Sequence, residues 1–148
     1  MTAIRLVIDT NTVMALWHFH DPTLIPLRET IGQQNIVLLT RPDAIEELRL
    51  VLNYRQFGLT RTQQTHILDD YCRRCSYVDN NTMPTSALPI CRDRDDQKFL
   101  EIARDGRASH LISRDKALVK LNRHRLIRPL FRIITPEVWC AEAAADLL

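Results

Sequence analysis

The stretch Ile4-Arg5-Leu6-Val7-Ile8-Asp9-Thr10-Asn11 limits what this chain can fold into more than any other. Four of its first five residues are apolar, with three aliphatic side chains in a row. Such a run suits a strand buried on both faces of a parallel sheet, where the alternation of a half-exposed strand is lost. The run stops at Asp9, and an apolar segment resumes at Val13. In open α/β sheets, ligands bind beyond the carboxyl ends of the strands. Asp9 therefore stands where such folds keep their chemistry, or else it only caps the next helix, as short polar side chains do. Three later acidic positions in matching places weigh toward chemistry.

The rest of the chain alternates between strand and helix patterns. Helices are predicted over 12–18, 23–31 (stopped by Gly32), 43–53 (with Pro42 in the first turn), 60–75, 94–104 and 115–121, and from Pro136 onward. Strands are predicted over 36–39, 109–113 and 131–134, with a weaker one over 76–79, and 80–90 reads as a long loop. Strands alternating with helices over short connections give an α/β fold with a mainly parallel sheet.

At 148 residues the chain reads as a single domain, 1–148, with 45% apolar and 26% charged residues as in soluble globular proteins. No apolar run reaches membrane-spanning length and the N-terminus lacks a signal-peptide pattern, so a cytoplasmic protein with no membrane partner is expected. Cys72-Arg73-Arg74-Cys75 is a lone C-x-x-C in a helical pattern, without the second pair of a zinc site or the preceding strand of a redox motif. Net charge is only +2, yet 92–132 holds 12 Lys and Arg against 6 Asp and Glu, while the remainder holds 8 against 12. Focused basic charge is the footprint of a polyanion binder, although it also arises by chance.

Four acidic positions could converge. Asp9 ends the first strand. In 42–52, the helical arc of Ala44, Ile45, Leu48, Val51 and Leu52 has Glu47 at its border and Glu46 nearly opposite. Glu47 can thus look into a cleft beside the core, or can simply flank an ordinary amphipathic helix. Asp96 shares a helical face with Phe99, Leu100 and Ala103, a poor place for packing but a good one for reaching a pocket. Asp93 reads best as the N-cap of that helix, with a role near a metal left open. Asp115 follows Leu111-Ile112-Ser113-Arg114 and repeats the opening logic of strand, turn and carboxylate. Like charges brought together repel unless a cation neutralises them. Oxygen-only donors suit Mg²⁺ or Mn²⁺, and such ions serve phosphate chemistry.

These residues resemble the four motifs of PIN-domain proteins, in particular the VapC-like toxin components of toxin–antitoxin systems. Val7-Ile8-Asp9-Thr10-Asn11 looks like the first motif and Glu46-Glu47-Leu48-Arg49-Leu50-Val51-Leu52 like the second. Cys91-Arg92-Asp93-Arg94-Asp95-Asp96-Gln97-Lys98-Phe99-Leu100 resembles the third, the most specific, and Leu111-Ile112-Ser113-Arg114-Asp115-Lys116-Ala117-Leu118 the fourth. The resemblance implies a three-layer α/β/α sandwich around a five-stranded, mainly parallel sheet. It also implies a Mg²⁺- or Mn²⁺-dependent endoribonuclease hydrolysing single-stranded RNA, with Asp9, Glu47, Asp96 and Asp115 as catalytic metal ligands. Asn11 and Ser113 would be small polar supports beside the metal. The partners would be single-stranded RNA and an antitoxin protein, with a homodimer left open.

Two residues depart from that pattern: Arg94 stands where the third motif usually has Pro, and Arg114 where the fourth usually has a small residue. Arg92, Arg94 and Arg114 flank the acidic positions and are expected to rim the cleft and meet RNA phosphates. Arg123, Arg125, Arg128 and Arg132 precede or begin the last strand, and some of them are expected at the opposite end. Two rival readings remain at this stage. One is a catalytically silent PIN-fold interaction module acting through a protein partner, which the intact acidic set argues against. The other is a phosphatase with Asp9 as nucleophile, which would want an Asp where Asn11 stands.

Overall fold

The structure is a computed structural model that describes residues 3–79 and 86–146. Among these residues, five parallel strands form one sheet in the order β3-β2-β1-β4-β5. The strands are β1 (Ile4–Ile8), β2 (Ile36–Thr40), β3 (Cys75–Tyr77), β4 (His110–Ile112) and β5 (Arg132–Ile134). The helices are α1 (Thr10–Trp17), α2 (Ile25–Ile31), α3 (Pro42–Leu52), α4 (Arg61–Arg74), α5 (Gln97–Asp105), α6 (Lys116–Lys120) and α7 (Pro136–Asp146).

β1 lies in the middle of the sheet, and its aliphatic run serves two cores. Leu6 and Ile8 face one cluster with Leu38, Ile112, Leu48, Leu27 and Ile67, while Val7 faces the other with Leu39, Leu111, Phe99 and Leu118. The two-residue period of a strand sends neighbouring side chains to opposite faces, so a sheet covered on both sides needs an unbroken apolar run. Helices α1, α2, α4 and α7 supply residues to the first core, and α5 and α6 to the second. Helix α3 serves both, through Leu48 and Leu52 on one side and Ala44 on the other. The result is the three-layer α/β/α arrangement expected from the sequence.

The boundaries follow local chemistry. Asp9 caps α1, and Thr60 with Gln63 forms a reciprocal capping box at the start of α4. Two predicted helices begin instead with a 3₁₀ turn. Pro22–Leu24, capped by Asp21, precedes α2, and Arg94–Asp96, capped by Asp93, precedes α5. β3 begins one residue earlier than predicted. Of the predicted loop over 80–90, positions 80–85 lie outside the described residues. Gly106 ends α5 where a Cβ would stand 2.7 Å from Leu39 Cδ1 and 2.9 Å from Val78 Cγ2. Only glycine lets the chain pass so close under the sheet.

The register fixes the functional end. Ile8 pairs with Ile112, so the residues that follow them, Asp9 and Ser113, emerge side by side at the carboxyl edge. Arg132 pairs with His110 at the opposite edge, where the guanidinium meets Glu142 at 2.8 Å.

Candidate active site

Asp9 is 5% exposed. Its Oδ1 accepts from the Thr12 amide at 2.9 Å and the Thr12 hydroxyl at 2.5 Å, and its Oδ2 accepts from Ser113 Oγ at 2.5 Å. Burial pushes its carboxyl above the usual range. The hydrogen bonds from Ser113 and Thr12 work against that push, and the charge of Asp115 adds to it. Ser113 is fully buried, and its Oγ also accepts from the Asp115 amide at 3.0 Å. The side chain of Asp115 caps α6, accepting from the Leu118 amide at 2.9 Å. Asp9 and Asp115 are thus two copies of one device. Each carboxylate follows a buried strand and caps a helix at the sheet edge.

Helix α3 carries Glu47 to the same place. Its Oε2 accepts from Thr10 Oγ1 at 2.9 Å and lies 3.1 Å from Lys98 Nζ on α5. Glu46 points away, is exposed, and pairs with Arg49. Asp96 stands at the junction of the 3₁₀ turn and α5. Its carboxyl is pushed up to about 6, by burial first and then by Asp115, Asp93, Asp9 and Glu47. The charges of the other three expected carboxylates, Asp115, Asp9 and Glu47, all bear on Asp96. Asp93 accepts from the Asp95 amide at 2.9 Å, the capping role read from the sequence.

The carboxylates are not closed into a cage. Among the described residues, no three His, Cys, Asp or Glu side chains converge tightly enough to form a ready-made metal site. Glu47 is drawn to Lys98 and Asp9 is held by hydroxyls. The donor set nevertheless fits a hard divalent ion. All donors are carboxylate oxygens, they repel one another, and Mg²⁺ typically needs only one or two carboxylates beside its waters.

Other expected residues divide. Ser113 sits against Asp9 as anticipated, whereas Asn11 is exposed, and the support falls to its neighbours Thr10 and Thr12. Arg92 and Arg94 are exposed and line an open depression with Asp93, Asp115 and Lys116. The guanidinium of Arg114 turns elsewhere, to Asp21 at 2.9 Å and Glu137 at 2.7 Å, so it ties β4's end to α7 and to the turn before α2. Thr10, which with Asp9 could be read as a cap of the next helix, instead binds Glu47, and Thr12 and Lys98 join the site without having been assigned that role from sequence. Nor does the sequence single out buried Arg41, whose guanidinium joins Asp43 at 2.7 Å to Glu101 at 2.9 Å just past β2. The Asp9-x-x-Thr12 spacing, with a second hydroxyl in reach of a cap, was the available signal for Thr12.

A family model described as "PIN domain" matches residues 5–117, a span that contains Asp9, Glu47, Asp96 and Asp115. The chain belongs to the PIN domain family. PIN domains are typically nucleases and generally bind divalent metals. The uncharacterized protein MJ1680 of Methanocaldococcus jannaschii is 29% identical to this PIN domain protein over 123 residues, covering 80% of this chain and 75% of that one. The crystal structure of PAE2754 from Pyrobaculum aerophilum aligns with a TM-score of 0.56 at 14% identity, covering 96% of this chain and 90% of the other. At that identity the likeness speaks for the fold alone. No helix among the described residues is long and apolar enough to cross a membrane.

Proposed function

We propose that this PIN domain protein is an endoribonuclease that hydrolyses single-stranded RNA with the help of Mg²⁺ or Mn²⁺, and that it acts as the toxin of a toxin–antitoxin pair. What supports the reading is that Asp9 and Asp115 stand at the ends of adjacent strands, joined through Ser113, while Thr10 beside Asp9 holds Glu47 and Asp96 opens α5. These four side chains would hold the ion. When bound, it would supply a water of lowered pKa and stabilise negative charge on the phosphate oxygens.

The chain's own residues do the rest. Thr12 and Ser113 fix the carboxylate of Asp9 in one orientation at the strand end. Thr10 aims Glu47 across the same gap. Lys98, half-buried against Glu47, holds a positive charge beside the acidic edge and can attend a phosphate oxygen. Arg92 and Arg94 border the depression next to Asp115 and would position the RNA backbone, a contact that carries no base information. Attack of water on phosphorus with departure of the 3′-oxygen leaves a 5′-phosphate and a 3′-hydroxyl. End-group analysis of cleaved synthetic RNA tests this: those termini from single strands, and little cleavage of duplex, are expected. A 2′,3′-cyclic phosphate would refute the hydrolytic reading. For the toxin assignment, co-expression with a small protein encoded beside the gene should suppress growth arrest.

A further inference from the structure

Away from the carboxylates, a cavity of about 580 Å³ opens between the end of α1, α2 and α4. Trp17, His18, His20, Arg28, His66 and Asp70 form much of its wall. Arg28 and Asp70 are the charged pair in this wall. The guanidinium carbon of Arg28 lies 4.3 Å from the centre of the Trp17 ring, and its Nη1 is buried without a hydrogen-bond partner. Asp70 is the nearby carboxylate, and both its oxygens are already engaged. Oδ2 accepts from the Trp17 indole N–H at 2.7 Å, and Oδ1 lies 3.5 Å from Arg73. Burial first, and then the charge of Arg74, pull the guanidinium's pKa below its ordinary value, against the opposing charge of Asp70. A partly buried guanidinium nitrogen left without an acceptor is costly.

Backbone geometry points to the same cavity. His20 holds φ at 49°, a left-handed conformation that non-glycine residues enter at a cost and that clusters at ligand sites. This strain sets a third imidazole in the wall beside His18 and His66.

We propose that this cavity is a binding site for a phosphate group, either as inorganic phosphate or as a phosphate monoester. A phosphate group presents several acceptor oxygens to a guanidinium that has an unused donor and to the imidazoles of the wall. Guanidinium forks match that geometry well. The site is separate from the acidic edge and does not depend on the nuclease reading.

Calorimetric titration of the full-length protein in chelator, at constant ionic strength against chloride, tests it with inorganic phosphate and with adenosine 5′-monophosphate. Saturable binding of phosphate is expected, weakened at least about tenfold in both Arg28→Met and His66→Gln and unchanged in Arg125→Ala. Tighter binding of the nucleotide would identify a monoester as the ligand, and equal or tighter binding of phosphate would identify the free anion. His66 is exposed, so His66→Gln remains decisive if Arg28→Met fails to fold. No saturable binding beyond chloride, or equal affinity in wild type and His66→Gln, would overturn the proposal.

Discussion

Ser113 Oγ donates a hydrogen bond of 2.5 Å to Asp9 Oδ2, joining the carboxyl ends of adjacent strands β4 and β1 across 104 positions of sequence. The contact follows from register, because Ile8 and Ile112 are paired and the next residue of each strand leaves the sheet at the same height. Replacing Ser113 by Ala leaves a buried carboxylate oxygen without its donor. We expect a loss of about 1–3 kcal/mol in urea unfolding at neutral pH. The Asp9 carboxyl should also titrate higher, since one of the hydrogen bonds opposing its desolvation is gone. An unchanged midpoint would mean that Asp9 is satisfied by Thr12 alone.

Asp96 gives a pH dependence with a definite sign. Its carboxyl is raised from 3.8 to about 6 in the folded chain, so between those values the folded state holds more proton than the unfolded one. Stability from this group therefore falls as pH rises through that window. In chelator, Asp96→Asn should melt close to wild type near pH 4 and above it beyond pH 6. A substitution that lowers the melting temperature at every pH would show that the carboxylate is structural.

The arginines separate by what they already touch. Arg92 and Arg94 are exposed beside Asp115, whereas Arg114 is paired with Asp21 and Glu137. Arg94→Ala should weaken RNA binding and flatten its salt dependence by roughly 0.7 per lost phosphate contact. Arg114→Ala should instead cost up to about 1 kcal/mol of stability, because exposed ion pairs are worth little. Arg125→Ala, in the connection that leads to β5, should change neither. Filter binding at several salt concentrations in an Asp9→Asn background distinguishes these outcomes, and equal losses from all three would mean that the charge acts diffusely.

Gly106 tests the packing beneath the sheet. Its Cβ position is closed by the Leu39 and Val78 side chains and is tight against Ile102 O at 3.0 Å, so Gly106→Ala forces those neighbours to move. A loss of about 1–3 kcal/mol in chemical unfolding is expected. A neutral effect would show that the second core yields easily.

Much of this architecture was legible from residue pattern alone. The aliphatic run Leu6-Val7-Ile8 implied a strand covered on both faces, and these three side chains do divide between two cores. The carboxylates at strand ends were equally readable, because short polar residues after an apolar run mark the sheet edge. Side-chain partnerships were not readable. Asn11 looked like the supporting residue beside Asp9, yet helix α1 turns Thr10 and Thr12 inward and leaves Asn11 in water. Arg114 looked like an RNA contact because it adjoins Asp115 in sequence. Its partners Asp21 and Glu137 lie 93 and 23 positions away, and only the fold brings them near. Lys98 escaped notice for the same reason, since its pairing with Glu47 depends on how α3 and α5 approach.

The central claim is that the carboxylates at the sheet edge form a divalent-metal site that cleaves RNA. The most direct measurement titrates Mn²⁺ into wild type, Asp9→Asn and Asp96→Asn, and follows both ion binding and cleavage of single-stranded RNA in the same samples. Wild type should bind the ion and cleave only in its presence, and each substitution should reduce both by about 100-fold or more while the protein stays folded. Cleavage that persists in chelator, or Mn²⁺ binding that is the same in all three proteins, would contradict the account.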